Sequence, residues 1–96
     1  MYVRIARFEG GDLGDADQAV ARVREQMQGE RPPGLEDAKR LLMLIDRQSG
    51  RGLGVTFFAT EEDMRRGDEA LNAMNPEGGA RRTSVEMYEV GLDEQF

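Results

Sequence analysis

The 96-residue chain is acidic, with a formal net charge of −6, and 33% of its residues are charged. This balance argues against binding to nucleic acids or to anionic membranes, because both need a concentrated basic surface. The chain has no cysteine and no histidine, which excludes disulfides, thiolate metal sites, cysteine nucleophiles and histidine-based catalysis.

The length and the hydropathy pattern predict one domain that spans residues 1–96. A chain of this size can bury a single core. No apolar run approaches the length of a membrane span, and the first residues do not resemble a signal peptide. We therefore expect a cytoplasmic protein without a membrane partner.

The first predicted strand covers residues 2–9, YVRIARFE. Side chains alternate along a strand, so the odd-numbered residues share one face and the even-numbered residues share the other. Gly10 and Gly11 are predicted to end the strand, and residues 12–14 are predicted to form a turn.

The apolar period becomes helical from Asp15 onward. The stripe consists of Ala16, Ala19, Val20, Val23 and Met27. Acidic residues in the first turn suit the helix dipole, and Gly29 with Pro32-Pro33 ends the helix. We interpret it as a surface helix that packs on a sheet.

A β-hairpin is predicted between residues 37 and 59. Two apolar runs, residues 41–45 and 53–58, flank the polar, glycine-containing turn at residues 46–51. In the first run both alternating sets of side chains are apolar, so this strand must be covered on both faces.

A second helix is predicted to begin after Thr60, which serves as the N-cap for the acidic residues 61–63. Its buried stripe is Met64, Gly67, Leu71 and Met74. Asn75-Pro76 ends this helix, residues 77–80 form a loop, and residues 82–90 form the last strand.

The order β, α, β, β, α, β predicts a ferredoxin-like α+β domain, a four-stranded antiparallel sheet with both helices on one face. The residues predicted to lie under the helices are Val3, Ile5, Val55 and Phe57. The residues predicted on the open face are Tyr2, Phe8, Thr56, Phe58 and Tyr88. A face this rich in aromatic residues needs a cover, which a homodimer with facing sheets would supply.

Several segments resemble one known family. They are residues 2–10, Pro33-Gly34-Leu35 before the hairpin, DRQSG at 46–50, GVTFFATEE at 54–62 and SVEMYEV at 84–90. The chain resembles small members of the antibiotic-biosynthesis-monooxygenase-like, dimeric α+β barrel group. The resemblance covers nearly the whole chain.

The resemblance implies a homodimer with a cavity between sheet and helices in each subunit. Active relatives oxidise aromatic polyketides or quinols with molecular oxygen, without metal or flavin, or degrade haem, and they rely on Trp, Asn, Tyr or His. This chain has no Trp and no His, and Phe57-Phe58 stands where many relatives have an aromatic pair that contains Trp. These differences argue against haem degradation and weaken quinol-type oxygenation.

The candidate pocket residues are Tyr2, Arg4, Phe58, Asn72 and Tyr88. Either tyrosine could hydrogen-bond a phenolic ligand or instead fill the dimer core. Arg4 could bind a carboxylate or enolate ligand, or it could have a structural role in an ion pair with Glu86 on the neighbouring strand. Asn72 could reach a pocket oxygen or simply face solvent.

Two other segments are interpreted as structural. Residues 61–63 are a helix start rather than a metal site, and residues 78–82, GGARR, are a connection rather than an anion cradle. We expect no metal and no cofactor.

Three functions remain open from the sequence. The first is a homodimeric protein that binds a small apolar or aromatic molecule without catalysis. The second is a cofactor-independent monooxygenase for an aromatic polyketide or quinol, with Arg4, Asn72 and Tyr88 positioning the substrate. The third is a structural dimerisation module without a pocket.

Overall fold

The computed structural model describes residues 1–10, 16–74 and 81–96. The elements in chain order are β1 (Tyr2–Glu9), α1 (Ala16–Gln28), β2 (Ala38–Asp46), β3 (Arg51–Phe58), α2 (Glu61–Asn72) and β4 (Arg81–Glu89). The sheet has the order β2-β3-β1-β4, and every neighbouring pair is antiparallel. The predicted ferredoxin-like α+β architecture is confirmed. The predicted turn at 12–14, the stop at 75–76, the loop at 77–80 and most of the 78–82 segment lie outside the described residues.

The β2–β3 hairpin forms where the sequence predicts it. The carboxylate of Asp46 accepts hydrogen bonds from the backbone N–H groups of Gln48 (3.0 Å) and Ser49 (3.4 Å), and Gly50 adopts a φ of 74°. The Ser49 side chain and these backbone N–H groups stabilise the charged carboxylate, which lowers the pKa of Asp46. An Asx-type turn with glycine in the left-handed region therefore sets the register of β2 on β3.

Local signals also place α2. The hydroxyl of Thr60 accepts a hydrogen bond from the backbone N–H of Asp63 at 3.1 Å, which is the predicted N-cap. Glu61 and Arg65 form an i,i+4 ion pair at 2.7 Å on the exposed side. The helix therefore begins at a position that its own first turn stabilises.

The segment before β2 comes into close contact with α2. Gly34 has a φ of 94°, and a Cβ atom there would lie 2.7 Å from the Cβ of Ala70. Glycine is thus required for both its backbone conformation and its lack of a side chain. The turn carries Leu35, only 1% exposed, into the core beside Phe58 and Met64.

The predicted assignment of the two sheet faces is wrong. Tyr2 pairs with Phe58 and Arg4 pairs with Thr56 across β1 and β3, and these side chains lie under α2. The helix-covered face therefore carries Tyr2, Phe8, Thr56 and Phe58. The open face carries Val3, Ile5, Val55 and Phe57. Of the residues predicted on the open face, only Tyr88 lies there, opposite Val3.

The error has a physical cause. Both faces of β1 and β3 contain large apolar residues, so alternation alone does not select the face that the helices cover. The predicted Arg4–Glu86 pair is wrong for the same reason. Glu86 lies on the open face and accepts a hydrogen bond from Arg7 at 3.2 Å.

Candidate functional site

The space between α2 and the sheet is occupied by a buried ion pair. Arg4 is 3% exposed, and its Nε donates to Asp68 Oδ1 at 2.7 Å while a terminal nitrogen donates to Asn72 Oδ1 at 2.9 Å. Asp68 and Asn72 lie one turn apart on α2. Arg4 is therefore neutralised and held from within the protein.

The rest of this space is filled by apolar side chains. Phe58 is fully buried and packs with Leu35 and Met64, and Tyr2 packs against the same cluster. The ring of Phe58 lies so close to Gly67 that a Cβ atom there would be 2.3 Å from the ring. We call this group, with the Arg4–Asp68–Asn72 network, the α2 layer.

The C-terminal end of α2 is hydrogen-bonded to a side chain of β4. Arg82 donates from its two terminal nitrogens to the carbonyl oxygens of Leu71 (2.9 Å) and Asn72 (3.0 Å). The Leu71 carbonyl also accepts from the backbone N–H of Met74, so Arg82 adds a second hydrogen bond there, and its positive charge complements the helix dipole. This contact holds Asn72 where it meets Arg4.

A groove lies on the other side of the helical layer, between α1 and β2. Its volume is about 350 Å³. The residues that line it are Val20, Val23, Arg24, Met27 and Gln28 of α1, and Leu41, Leu42 and Met43 of β2. Its walls are mostly apolar and only partly buried, so a small molecule could reach them from solvent. We call it the α1 groove.

Comparisons with known proteins agree with this architecture. No family model matches the sequence, and no curated protein matches it. Among solved structures, a Deinococcus radiodurans protein provisionally assigned as an antibiotic biosynthesis monooxygenase matches with a TM-score of 0.63 and 13% identity, over 100% of this chain and 98% of that chain.

Two structures of the haem degrader MhuD also match. The Mycobacterium tuberculosis protein with two haems in its active site gives a TM-score of 0.67 at 19% identity, over 99% of this chain and 100% of that chain. An arginine-to-serine variant of MhuD with two manganese protoporphyrin IX molecules per active site gives 0.67 at 20% identity, over all of both chains. The chain has the antibiotic biosynthesis monooxygenase-like fold. At these identities the likeness concerns the fold and not the activity.

Within this antibiotic biosynthesis monooxygenase-like fold, the five candidate residues do not form one site. Four of them belong to the α2 layer: Tyr2, Arg4, Phe58 and Asn72. Arg4 bonds Asn72 and Tyr2 packs against the cluster of Phe58, so these side chains fill the layer and do not line an open cavity. Tyr88 lies on the opposite face of the sheet, where it is 49% exposed.

Tyr88 is part of a small polar group on the open face. Its hydroxyl donates to the carboxylate of Glu86, which also accepts from Arg7. The hydrogen bond from Tyr88 and then the contact with Arg7 lower the pKa of Glu86, and the bond to Glu86 raises the pKa of Tyr88. A tyrosine held in its neutral form by a carboxylate is poorly suited to supply a phenolate.

The sequence analysis missed the residues of the α1 groove as a site. Val20, Val23 and Met27 were recognised as an apolar stripe but interpreted as helix packing. A further signal was present in β2, where residues 41–45 are apolar on both faces and demand cover on both. In the structure α1 covers these β2 residues incompletely, and Leu41, Leu42 and Met43 line the groove.

The remaining chemistry of the described residues is limited. Within residues 1–10, 16–74 and 81–96, no cluster of three or more acidic side chains is placed to hold a metal ion. Neither α1 nor α2 is long and apolar enough to cross a membrane. The α1 groove, which lies among the described residues, has the apolar lining that suits a small ligand.

Proposed function

We propose that this protein is a homodimer that binds a small apolar or aromatic molecule in the α1 groove and performs no chemistry of its own. The observation that carries the proposal is the contrast between a filled α2 layer and an unfilled, apolar α1 groove. The volume of about 350 Å³ lies at the lower end of the range of ligand pockets.

The arrangement of polar side chains supports binding over oxygenation. The oxygenase alternative assigned positioning roles to Arg4, Asn72 and Tyr88. Arg4 and Asn72 are engaged with each other under α2, and Tyr88 lies on the other face of the sheet. No two of these groups converge on the α1 groove.

The fold neighbours support a ligand-binding role in general terms. The MhuD structures contain porphyrins in an active site. A porphyrin is far larger than the α1 groove, so the ligand proposed here is smaller. Its apolar body would displace water from Val20, Val23, Met27 and Met43, the principal source of affinity in such a site.

The test uses 1-aminonaphthalene, an uncharged bicyclic fluorophore that is small enough for the groove and whose emission shifts to shorter wavelength in apolar surroundings. Val23→Phe places a ring in the groove, whereas Ala21→Phe places the same ring on the exposed side of α1. We expect wild type and Ala21→Phe to bind the probe and Val23→Phe to bind it about tenfold more weakly. Absence of binding to wild type, or equal binding by all three proteins, would contradict the proposal.

The dimer is supported by the corrected open face. Leu44 and Tyr88 are 47% and 49% exposed on this face, and Ile5 and Phe57 are half-buried there, whereas Val3 and Val55 are already buried. An apolar sheet face of this extent is typical of a surface that a second copy covers.

The dimer is tested with two substitutions at similarly exposed positions on opposite faces. Leu44→Asp introduces a charge on the open face, and Met87→Asp introduces one on the helix side of β4, where Met87 is 40% exposed. We expect sedimentation velocity to show dimers for wild type and Met87→Asp and monomers for Leu44→Asp. A monomeric wild type would overturn the dimer while leaving the groove to be judged by the probe.

A further inference from the structure

We infer that the ligand of the α1 groove is a small organic carboxylate, with its apolar body between α1 and β2 and its carboxylate paired with Arg24. This inference rests on the proposed function, because it names the ligand class of the same groove. It adds the charge of the ligand and the residue that selects it.

Arg24 differs from most arginines of the chain in having no internal partner. Carboxylates pair with Arg4, Arg7, Arg47, Arg65 and Arg66. Arg24 forms no ion pair or hydrogen bond in the described part of the chain. Its guanidinium group is therefore available to a ligand.

The helix itself explains why Arg24 is unpaired. Residues three and four positions away on a helix are the neighbours of a side chain. For Arg24 these are Val20, Ala21, Met27 and Gln28, none of which is charged. By contrast, Arg65 has Glu61 at this spacing and forms an ion pair with it.

The position of Arg24 places its positive charge at the groove. Arg24 and Gln28 lie one helical turn apart and both line the groove, whose other lining residues are apolar. An arginine can donate two parallel hydrogen bonds to a carboxylate, and the amide of Gln28 supplies further N–H donors beside it. The polar end of the groove thus offers donors and a positive charge.

The size of the groove limits the apolar part. If each non-hydrogen atom occupies about as much space as a water molecule, ~30 Å³, then about 350 Å³ accommodates roughly a dozen atoms. Naphthoate, an aromatic carboxylate, has about this size. The net charge of −6 repels anions in general, so a preference for a carboxylate must come from a local cation.

The experiment compares two competitors of nearly equal shape, naphthoate and the uncharged naphthalenemethanol, in displacing 1-aminonaphthalene. It is carried out near physiological ionic strength, where charges more than about 8 Å apart are largely screened. We expect naphthoate to bind wild type about fivefold more tightly than the alcohol. Arg24→Gln should weaken the binding of naphthoate relative to the alcohol by about fivefold, so that the preference disappears.

Arg81→Gln is the matched control. Arg81 is exposed, has no ion pair among the described residues and lies on β4, at the opposite edge of the sheet from β2. It should retain the full preference for naphthoate. A wild type that binds both competitors equally, or an Arg24→Gln variant that keeps the preference, would overturn this inference and leave the binding function intact. Failure of the uncharged probe itself to bind would instead overturn the proposed function.

Discussion

The two helices cover the same face of one sheet in opposite ways. Under α2, Phe58 is fully buried against Gly67, and the charge of Arg4 is compensated by Asp68. Over its described residues α1 makes few close backbone approaches to the sheet, and its apolar stripe borders a groove. The tightly packed core therefore lies under α2, and the ligand proposed above would lie under α1.

The difference arises from which residues oppose each helix. A glycine in the middle of α2 leaves room for an aromatic ring, so helix and sheet interlock. The α1 stripe lines a groove together with Leu41 and Met43 of β2, and only its end, at Met27, is seen to pack against the cluster of Leu35, Phe58 and Met64. Interlocked packing resists change, whereas the unfilled groove can accept a foreign group.

The largest expected effect concerns the buried ion pair. Asp68→Ala leaves Arg4 without its counter-charge at 3% exposure, so the free energy of unfolding should fall by about 3 kcal/mol. Asp17→Ala is the matched control, because Asp17 contacts Arg47 at the same 2.7 Å but both side chains are exposed. Its cost should be below about 1 kcal/mol. Similar costs for both variants, measured by urea unfolding, would contradict the comparison.

The next effect concerns the interlock of Gly67 with Phe58. Gly67→Ala should lower stability by about 1–3 kcal/mol through overpacking, even though alanine favours a helix over glycine by about 1 kcal/mol. The double variant with Phe58→Leu should lose less than the sum of the two single losses, because the shorter side chain vacates the space that the new methyl group needs. Strictly additive losses would show that the two residues do not interlock.

These two sites also show what the sequence could and could not predict. The hairpin at Asp46 and the cap at Thr60 depend on residues that are neighbours in the chain, so their pattern could be interpreted directly. The choice of sheet face depends on matches between distant residues, Phe58 with Gly67 and Arg4 with Asp68. Strand alternation does not contain those matches, and the face assignment was therefore wrong.

The α1 groove was not predicted from the sequence, for a related reason. An apolar helical stripe looks the same whether its helix packs tightly or stands away from the sheet. Four of the five candidate pocket residues, Tyr2, Arg4, Phe58 and Asn72, lie in the α2 layer. Their side chains fill the space between α2 and the sheet, where the resemblance implied a ligand cavity.

A smaller effect is expected from shortening a residue of the α1 groove. Val23→Ala should reduce the free energy of unfolding by about 1 kcal/mol or less, because it enlarges a groove that is already open instead of creating a closed cavity. Leu35→Ala, in the α2 layer, should cost about 2–5 kcal/mol. Comparable losses in thermal or urea unfolding would mean that α1 is as tightly packed as α2.

The smallest effect tests the third surface, the open face of the sheet. Arg7 and Arg4 lie on opposite faces of β1, and Arg7 contacts Glu86 where both side chains are accessible to solvent. The pKa of Glu86 is lowered chiefly by the hydrogen bond from Tyr88 and then by Arg7. Tyr88→Phe and Arg7→Gln should therefore each raise the pKa of Glu86 toward its ordinary value.

The sign of the linkage follows from that shift. Because folding lowers the pKa of Glu86, its contribution to stability is present above the pKa in the unfolded chain and disappears as the pH falls through the pKa in the folded protein. Wild type and Tyr88→Phe should consequently differ in stability near neutral pH and converge in acid. An NMR titration of the Glu86 carboxyl group measures the shift directly. An unchanged pKa of Glu86 in Tyr88→Phe would mean that the tyrosine hydroxyl does not stabilise this carboxylate.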